Sequence, residues 1–413
     1  MRILKTTQTY YPYLSKGGPP VKVRAIARAL AQRGHDVTVL TADMGDSDGQ
    51  TKLSELRNWT RSAWGWEAQD NGVEAIYLRT TQNYRATTIN PRMLRFFAER
   101  LRGFDVVHIY GLYDLIGSAA GWYCRRYGVP YVLEPLGMFG PKIRSRHKKR
   151  LYRSLVGNAL FNGAQAIIAT SETERDELID GGIPTGKVVL RRNGIDPAEF
   201  AALPARGAFR AHLGLADSTR LVVFLGRLSF IKGLDHLVKA FARLETAAQL
   251  VIAGPDDHDG CAHTVKALIA EFDLGARVIL TGPLYGQQKL EALVDADVFV
   301  LPSRYESFGN AAAEAVACGT PVLVTDQCGI APLVDGKAGL AVPYDVAALH
   351  KGIELLLGGG PQVAELRSGC AAVARDLSWE GPVNEMETLY ASLTRTSVSS
   401  ISPQVADGLE TAK

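Results

Sequence analysis

The run Val298-Phe299-Val300-Leu301-Pro302-Ser303-Arg304-Tyr305-Glu306-Ser307-Phe308-Gly309-Asn310-Ala311-Ala312-Ala313-Glu314 changes character twice. Residues 298–301 are apolar and read as a buried strand, and a polar loop holding Pro302 and Gly309 follows. The alanine-rich stretch 311–318 then reads as a helix closed by Gly319-Thr320-Pro321. Strand, loop and helix in that order put the loop at the carboxyl edge of a parallel sheet, where open α/β folds bind ligands. A helix start presents unbonded N–H groups and a positive dipole end, so Ser307, Phe308, Gly309 and Asn310 are expected to face an anion. Asn310 and Glu314 are four residues apart and share one helix face. Glu314 can accept hydrogen bonds from both hydroxyls of a ribose, and Glu306 can do the same for a transferred sugar. Ala311, Ala312, Ala313 and Ala315 are expected to keep the surface low beside such a ligand. The plainer alternative makes both glutamates ordinary exposed charges.

Upstream, residues 221–225 (Leu-Val-Val-Phe-Leu) form another buried run, followed by Gly226 and then Arg227-Leu228-Ser229-Phe230-Ile231-Lys232-Gly233. A helix over 234–244 comes next. Two cations five residues apart, flanked by glycines, can grip a diphosphate from two sides, Arg as a planar fork and Lys as a mobile point charge; a solvated loop is the competing reading. Further strands are expected at 250–253, 278–280, 321–324 and 339–342. Asp256-Asp257-His258-Asp259 follows Ala253-Gly254-Pro255 and reads as a surface loop. No paired aspartates stand at a strand end, so no metal is expected.

The first half has the same alternation. Strands are expected at 3–6, 37–40, 73–78, 106–109, 131–133, 166–169 and 188–190, with helices at 21–32, 93–101 and 115–127. Gly34 reads as a helix C-cap leading into a parallel strand. Such alternation means doubly wound α/β sheets. Tyr13-Leu14-Ser15-Lys16-Gly17-Gly18-Pro19-Pro20 lies between the first strand and its helix. Gly17 and Gly18 would let backbone approach a phosphate, and proline suits a first helical turn. His108 is read as ending a buried strand at the carboxyl edge, either as a satisfied structural histidine or as a contact to the donor sugar. A break at Asp196-Pro197 and Leu203-Pro204 divides the chain into domains 1–198 and 206–378. A last helix over 382–393, with Ser378 as its cap, and a frayed tail at 394–413 complete the reading.

At 413 residues two domains are expected. The net charge of +3 conceals 29 Lys and Arg against 18 Asp and Glu in residues 1–198, so that half faces something anionic. Five scattered cysteines suit a reducing compartment. No stretch of roughly 18 apolar residues occurs, and the N-terminus does not read as a secretion signal, so a cytoplasmic, soluble protein is expected. Lys142, Arg144, Arg146, His147, Lys148, Lys149, Arg150 and Arg153 make a basic run ending in apolar residues. It is either a solvated face or a reversible dock on an anionic membrane surface, at the inner face of the cell membrane. Nucleic acid is not expected, because no aromatic residues interleave the charge.

Taken in order, these motifs resemble the retaining glycosyltransferases of family 4, which have the GT-B fold: two doubly wound Rossmann-like domains facing across a cleft. Glu306 and Glu314, seven residues between them, match the family's glutamate pair. Arg227 and Lys232 match its paired cations, Gly17 and Gly18 its glycine loop, and Asn193-Gly194-Ile195-Asp196 the turn before its hinge. Tyr110 stands where many relatives carry a second histidine. The resemblance implies that residues 1–198 bind acceptor, that 206–378 bind a nucleotide sugar, and that a helix over 379–393 packs back on the first domain. It implies a UDP- or GDP-sugar donor, a saccharide or lipid-linked acceptor, no cofactor, and a role in cell-surface or exopolysaccharide assembly. A nucleotide-sugar epimerase of the same fold and a nucleotide-sugar-binding protein without catalysis are the alternatives.

Overall fold

The computed structural model describes residues 1–13, 18–44, 59–84, 87–140 and 152–399. The chain forms two compact units, one of residues 1–168, 182–189 and 383–413, the other of 169–181 and 190–382. Each has its own sheet.

The first unit is built on nine strands, β1 (Arg2–Thr6), β2 (Asp36–Ala42), β3 (Thr60–Arg61), β4 (Gly65–Asp70), β5 (Val73–Leu78), β8 (Val106–Tyr110), β9 (Tyr131–Glu134), β10 (Ala166–Ala169) and β11 (Val188–Leu190), with a separate hairpin, β6 (Gln82–Tyr84) and β7 (Thr87–Ile89), between. Their order is β11-β10-β9-β8-β1-β2-β5-β4-β3. β1 pairs in parallel with β2 and β8, and β2 with β5. Every residue of β8 is buried, as expected for a parallel strand covered on both faces. Beyond β5 the sheet turns antiparallel through β4 and β3. These strands, and the β6/β7 hairpin, carry little strand signal in the sequence because they are short and largely polar.

Helix Gly18–Gln32 starts three residues before the expected 21, so Pro19 and Pro20 lie in its first turn. Gly34 closes it with φ +84, its N–H bonded to the Ala31 carbonyl at 3.0 Å. Asp114 caps helix Leu115–Tyr127, accepting from the Gly117 N–H at 2.7 Å. Burial pushes that carboxyl up to about 6.

In the second unit all six strands are parallel: β12 (Arg220–Leu225), β13 (Ala248–Ala253), β14 (Val278–Gly282), β15 (Val298–Leu301), β16 (Val322–Thr325) and β17 (Gly339–Val342). They run β14-β13-β12-β15-β16-β17. In strand number this is 3-2-1-4-5-6, the order of dinucleotide-binding sheets, whose direction of winding reverses between β12 and β15. The loops after β12 and β15 therefore flank the switch point. At the other edge of the sheet, where β12 and β15 begin, Arg210, 2% exposed, bonds Asp297 Oδ2 at 2.9 Å and lies 3.7 Å from Asp295 Oδ1.

Two boundaries differ from the sequence reading. The chain passes into the second unit over 169–181, returns to the first over 182–189, and stays in the second from Leu190, before the expected break at 198–206. Ile195 belongs to that unit's core and pairs with Ser378, its N–H donating to the Leu377 carbonyl at 2.7 Å. The final helix spans Glu380–Ser399, so it continues past 393. From Val383 onward it groups with the first unit. There Glu387 pairs with Arg33 at 2.9 Å and His35 at 2.7 Å. All five cysteines are free and buried. Among the described residues no helix is long and apolar enough to cross a membrane.

Candidate active site

The switch point of the second unit collects most of the expected donor residues. Lys232 closes a short 3₁₀ turn, Phe230–Lys232, and its ammonium bonds the Glu306 carboxylate, both side chains being 17% exposed. The loops carrying them are locked together. The Arg304 N–H donates to the Ile231 carbonyl at 2.9 Å. Gly233 sits at φ +68 against the Pro302 carbonyl, so both space and backbone angle favour glycine there.

The loop after β15 is fastened at nearly every residue. Thr325 Oγ1 donates to the Ser303 carbonyl at 2.5 Å, and the Tyr305 hydroxyl donates to Glu177 at 3.3 Å. The Glu306 N–H donates to Gln327, while the Glu306 and Phe308 carbonyls accept from Gly329 and Ile330. Burial, reinforced by Glu174 and Glu177, pushes the Tyr305 phenol upward, keeping it protonated as a donor. Such bracing fixes the dipoles of the loop before any ligand arrives.

Gly309, at φ +114, caps helix Asn310–Ala317. The Asn193 amide donates to Asn310 Oδ1 at 3.1 Å. Glu314, in the second turn, is paired with Lys289 at 3.0 Å. Two expectations need correcting. Ala312, Ala313 and Ala315 are 0% exposed, so their size serves packing against the sheet rather than ligand approach. Phe308, 1% exposed, puts its ring into the core and leaves only backbone for a ligand.

Arg227 stands apart from Lys232 in its bonding: it pairs with Asp257 and is about half exposed. The acidic loop is a brace. Asp259 accepts from Ser229 Oγ at 2.6 Å and from the N–H groups of Phe230 at 3.1 Å and Cys261 at 3.0 Å. Asp257 and Lys289 were missed as partners because each is long-range in sequence.

In the first unit His108 is mid-strand rather than at the strand end, and 0% exposed. Its Nδ1 lies 2.6 Å from the Tyr390 hydroxyl, its Nε2 lies 3.5 Å from Glu134, and its ring stacks on Tyr110 at 4.0 Å. Lys22 bonds Glu134 at 2.6 Å and Lys5 bonds the Tyr110 hydroxyl at 2.8 Å. The structural reading of His108 fits this placement, and the ring offers no exposed surface to a sugar. Gly18 begins its helix and is partly exposed. Gly17 lies outside the described residues, as do Lys142, Arg144, Arg146, Lys148, Lys149 and Arg150.

A parallel sheet of this winding, with Lys232 and Glu306 in contact in the loops after β12 and β15, is a Rossmann-like α/β unit with polar groups at its switch point. Comparison with known proteins narrows the class. Residues 17–194 match the family described as "Glycosyl transferase 4-like domain", and residues 205–375 match "Glycosyl transferases group 1". The chain is 32% identical over 358 residues to a D-inositol 3-phosphate glycosyltransferase of Kineococcus radiotolerans, covering 79% of each. It is 28% identical over 393 residues to one of Xylanimonas cellulosilytica, covering 92% of each. Its fold is similar to that of Anabaena HepE in complex with UDP and glucose, with TM-score 0.75, 19% identity, and 95% and 100% of the chains covered. The chain belongs to the group 1 glycosyltransferases and has the GT-B fold.

Proposed function

We propose that this glycosyltransferase is a retaining, metal-independent hexosyltransferase that takes its sugar from UDP or GDP. The observation that carries this reading is the contact of Lys232 with Glu306 at the switch point of the second unit. On donor binding the Lys232 ammonium would hold the diphosphate, joined by Arg227 and the N–H groups at the Asn310 helix start. Glu306 would accept from hydroxyls of the transferred sugar and Glu314 from the ribose. These positive groups stand where negative charge grows as the diphosphate leaves. Fixed donors of this kind are typically worth about 3 kcal/mol each in a water-poor site. The acceptor hydroxyl would then attack from the face the diphosphate vacates, giving its proton to a donor phosphate oxygen. Residues 227, 232 and the helix start supply the charge a metal would otherwise provide.

The acceptor side is assigned to the first unit, with a saccharide or lipid-linked acceptor and a place in cell-surface polysaccharide assembly. Membrane contact is favoured by the exposed residues of helix Leu115–Tyr127, which carries Leu115 (41%) in its first turn, Trp122 (53%) further along, and Arg125 and Arg126 in its last turn. Trp and Arg suit the headgroup region of an anionic bilayer.

The test incubates purified protein with labelled UDP- and GDP-hexoses, saccharide and lipid-linked acceptors, and EDTA. Transfer that survives EDTA and keeps the donor's anomeric configuration supports the reading. Donor isomerisation alone points to an epimerase, binding without turnover points to a non-catalytic protein, and an inverted product refutes retention.

A further inference from the structure

Glu314 shares its place with a lysine that the donor-site reading above does not use. Lys289 lies one turn into helix Gly286–Asp295, on the path from β14 back to β15. Its ammonium stands 3.0 Å from Glu314 Oε2, the side chains 25% and 20% exposed. Partial burial strengthens such a pair relative to one at an open surface. The thiol of Cys318, four residues after Glu314, is buried and kept protonated by its surroundings, so it brings no competing charge.

We propose that Lys289 is a positioning residue for the donor's ribose: it fixes the Glu314 carboxylate so that it accepts from the ribose hydroxyls, and thereby sets the preference for ribonucleotide over 2′-deoxyribonucleotide donors. This deepens the donor-site reading and rests on it. A carboxylate offers about four acceptor positions. Lys289 occupies one on Oε2 and leaves the others for two vicinal hydroxyls. A glutamate without that anchor must lose its side-chain freedom when the nucleotide arrives. With the anchor, the freedom is already gone.

The experiment titrates the full chain with UDP and GDP and then with the 2′-deoxy form of whichever binds. Wild type is compared with Lys289→Met, which keeps the stem without the charge, with Lys289→Arg, and with Glu314→Gln alone and combined with Lys289→Met. Thermal unfolding of each protein reports folding. Hydrogen bonds to a charged group imply a wild-type preference of roughly ten- to a hundredfold for the ribose form. Lys289→Met should reduce that ratio to a few-fold while melting near wild type, and Lys289→Arg should restore most of it. In the Glu314→Gln background, removing Lys289 should change the ratio no further. A Lys289→Met protein that keeps the wild-type ratio overturns the role of Lys289 alone. A folded wild type that binds neither UDP nor GDP overturns the donor-site reading with it.

Discussion

A Cβ placed on Gly233 would stand 2.0 Å from the carbonyl oxygen of Pro302. That approach joins the loop after β12 to the loop after β15, and it fixes the spacing of Lys232 from Glu306. Gly233→Ala must therefore move one loop and also strain a residue at φ +68. We expect a loss of about 2–3 kcal/mol, above the usual cost of alanine where φ is positive. Urea unfolding should show a lower midpoint with an unchanged slope, and nucleotide affinity should fall with it.

Lys232→Ala should lower kcat by roughly a hundred- to a thousandfold, the range seen when one fixed donor at a developing charge is removed. Arg227 is half exposed and already paired with Asp257, so Arg227→Ala should cost less, about ten- to a hundredfold. Steady-state kinetics with a saturating donor check both. Full activity in either variant refutes its assigned role.

Arg210 is 2% exposed between Asp295 and Asp297. Arg210→Ala removes the guanidinium that Asp295 and Asp297 share in the second unit's interior, leaving Asp297 with Arg206 and Asp295 with backbone N–H groups of residues 207 and 210. We expect about 3–5 kcal/mol of destabilisation, as for breaking a buried pair from one side. Chemical denaturation followed by tryptophan fluorescence and circular dichroism measures it.

The first unit has an acid-sensitive counterpart. Burial pushes the Asp70 carboxyl upward, but hydrogen bonds from Arg24 and Arg28 outweigh it and hold the group below its ordinary 3.8. A carboxylate depressed on folding adds stability above its unfolded pKa and loses it as pH falls through the folded one. Asp70→Asn should thus destabilise the protein at pH 7 by about 3 kcal/mol. The gap to wild type should shrink steadily below pH 3.8. Urea titrations at pH 7 and pH 3 decide it, and a gap independent of pH would refute the linkage.

How far the sequence could be read follows from the range of each signal. The bounds read for β5, β10, β11, β15 and β17 match the structure to the residue; in β15 this is because Val298-Phe299-Val300-Leu301 is buried throughout and ends at Pro302. Helix Glu172–Asp180 shows no apolar periodicity because it is highly polar. Its start did carry a local mark: Ser171 accepts from the Glu174 N–H at 3.2 Å, and Glu174 reaches back to the Thr170 N–H at 2.8 Å. In the site, the Glu306, Glu314, Arg227 and Lys232 motifs were legible, since strand–loop–helix order places them. What lay beyond reading was pairing across long separations: Lys289 to Glu314, Asp257 to Arg227, and Tyr390 to His108. His108 shows the limit sharply. Position in a strand does not say which way the neighbouring helix will close over it.

The five cysteines give the protein a practical property. Burial raises the thiols of Cys328 and Cys370 to about 11 and those of Cys261 and Cys318 to about 12, and pushes Cys124 upward too. Since only the thiolate attacks electrophiles, native thiols should stay silent towards maleimides near neutral pH. A single cysteine introduced on an exposed turn would then take a fluorophore or spin label by itself, with no need for a cysteine-free background.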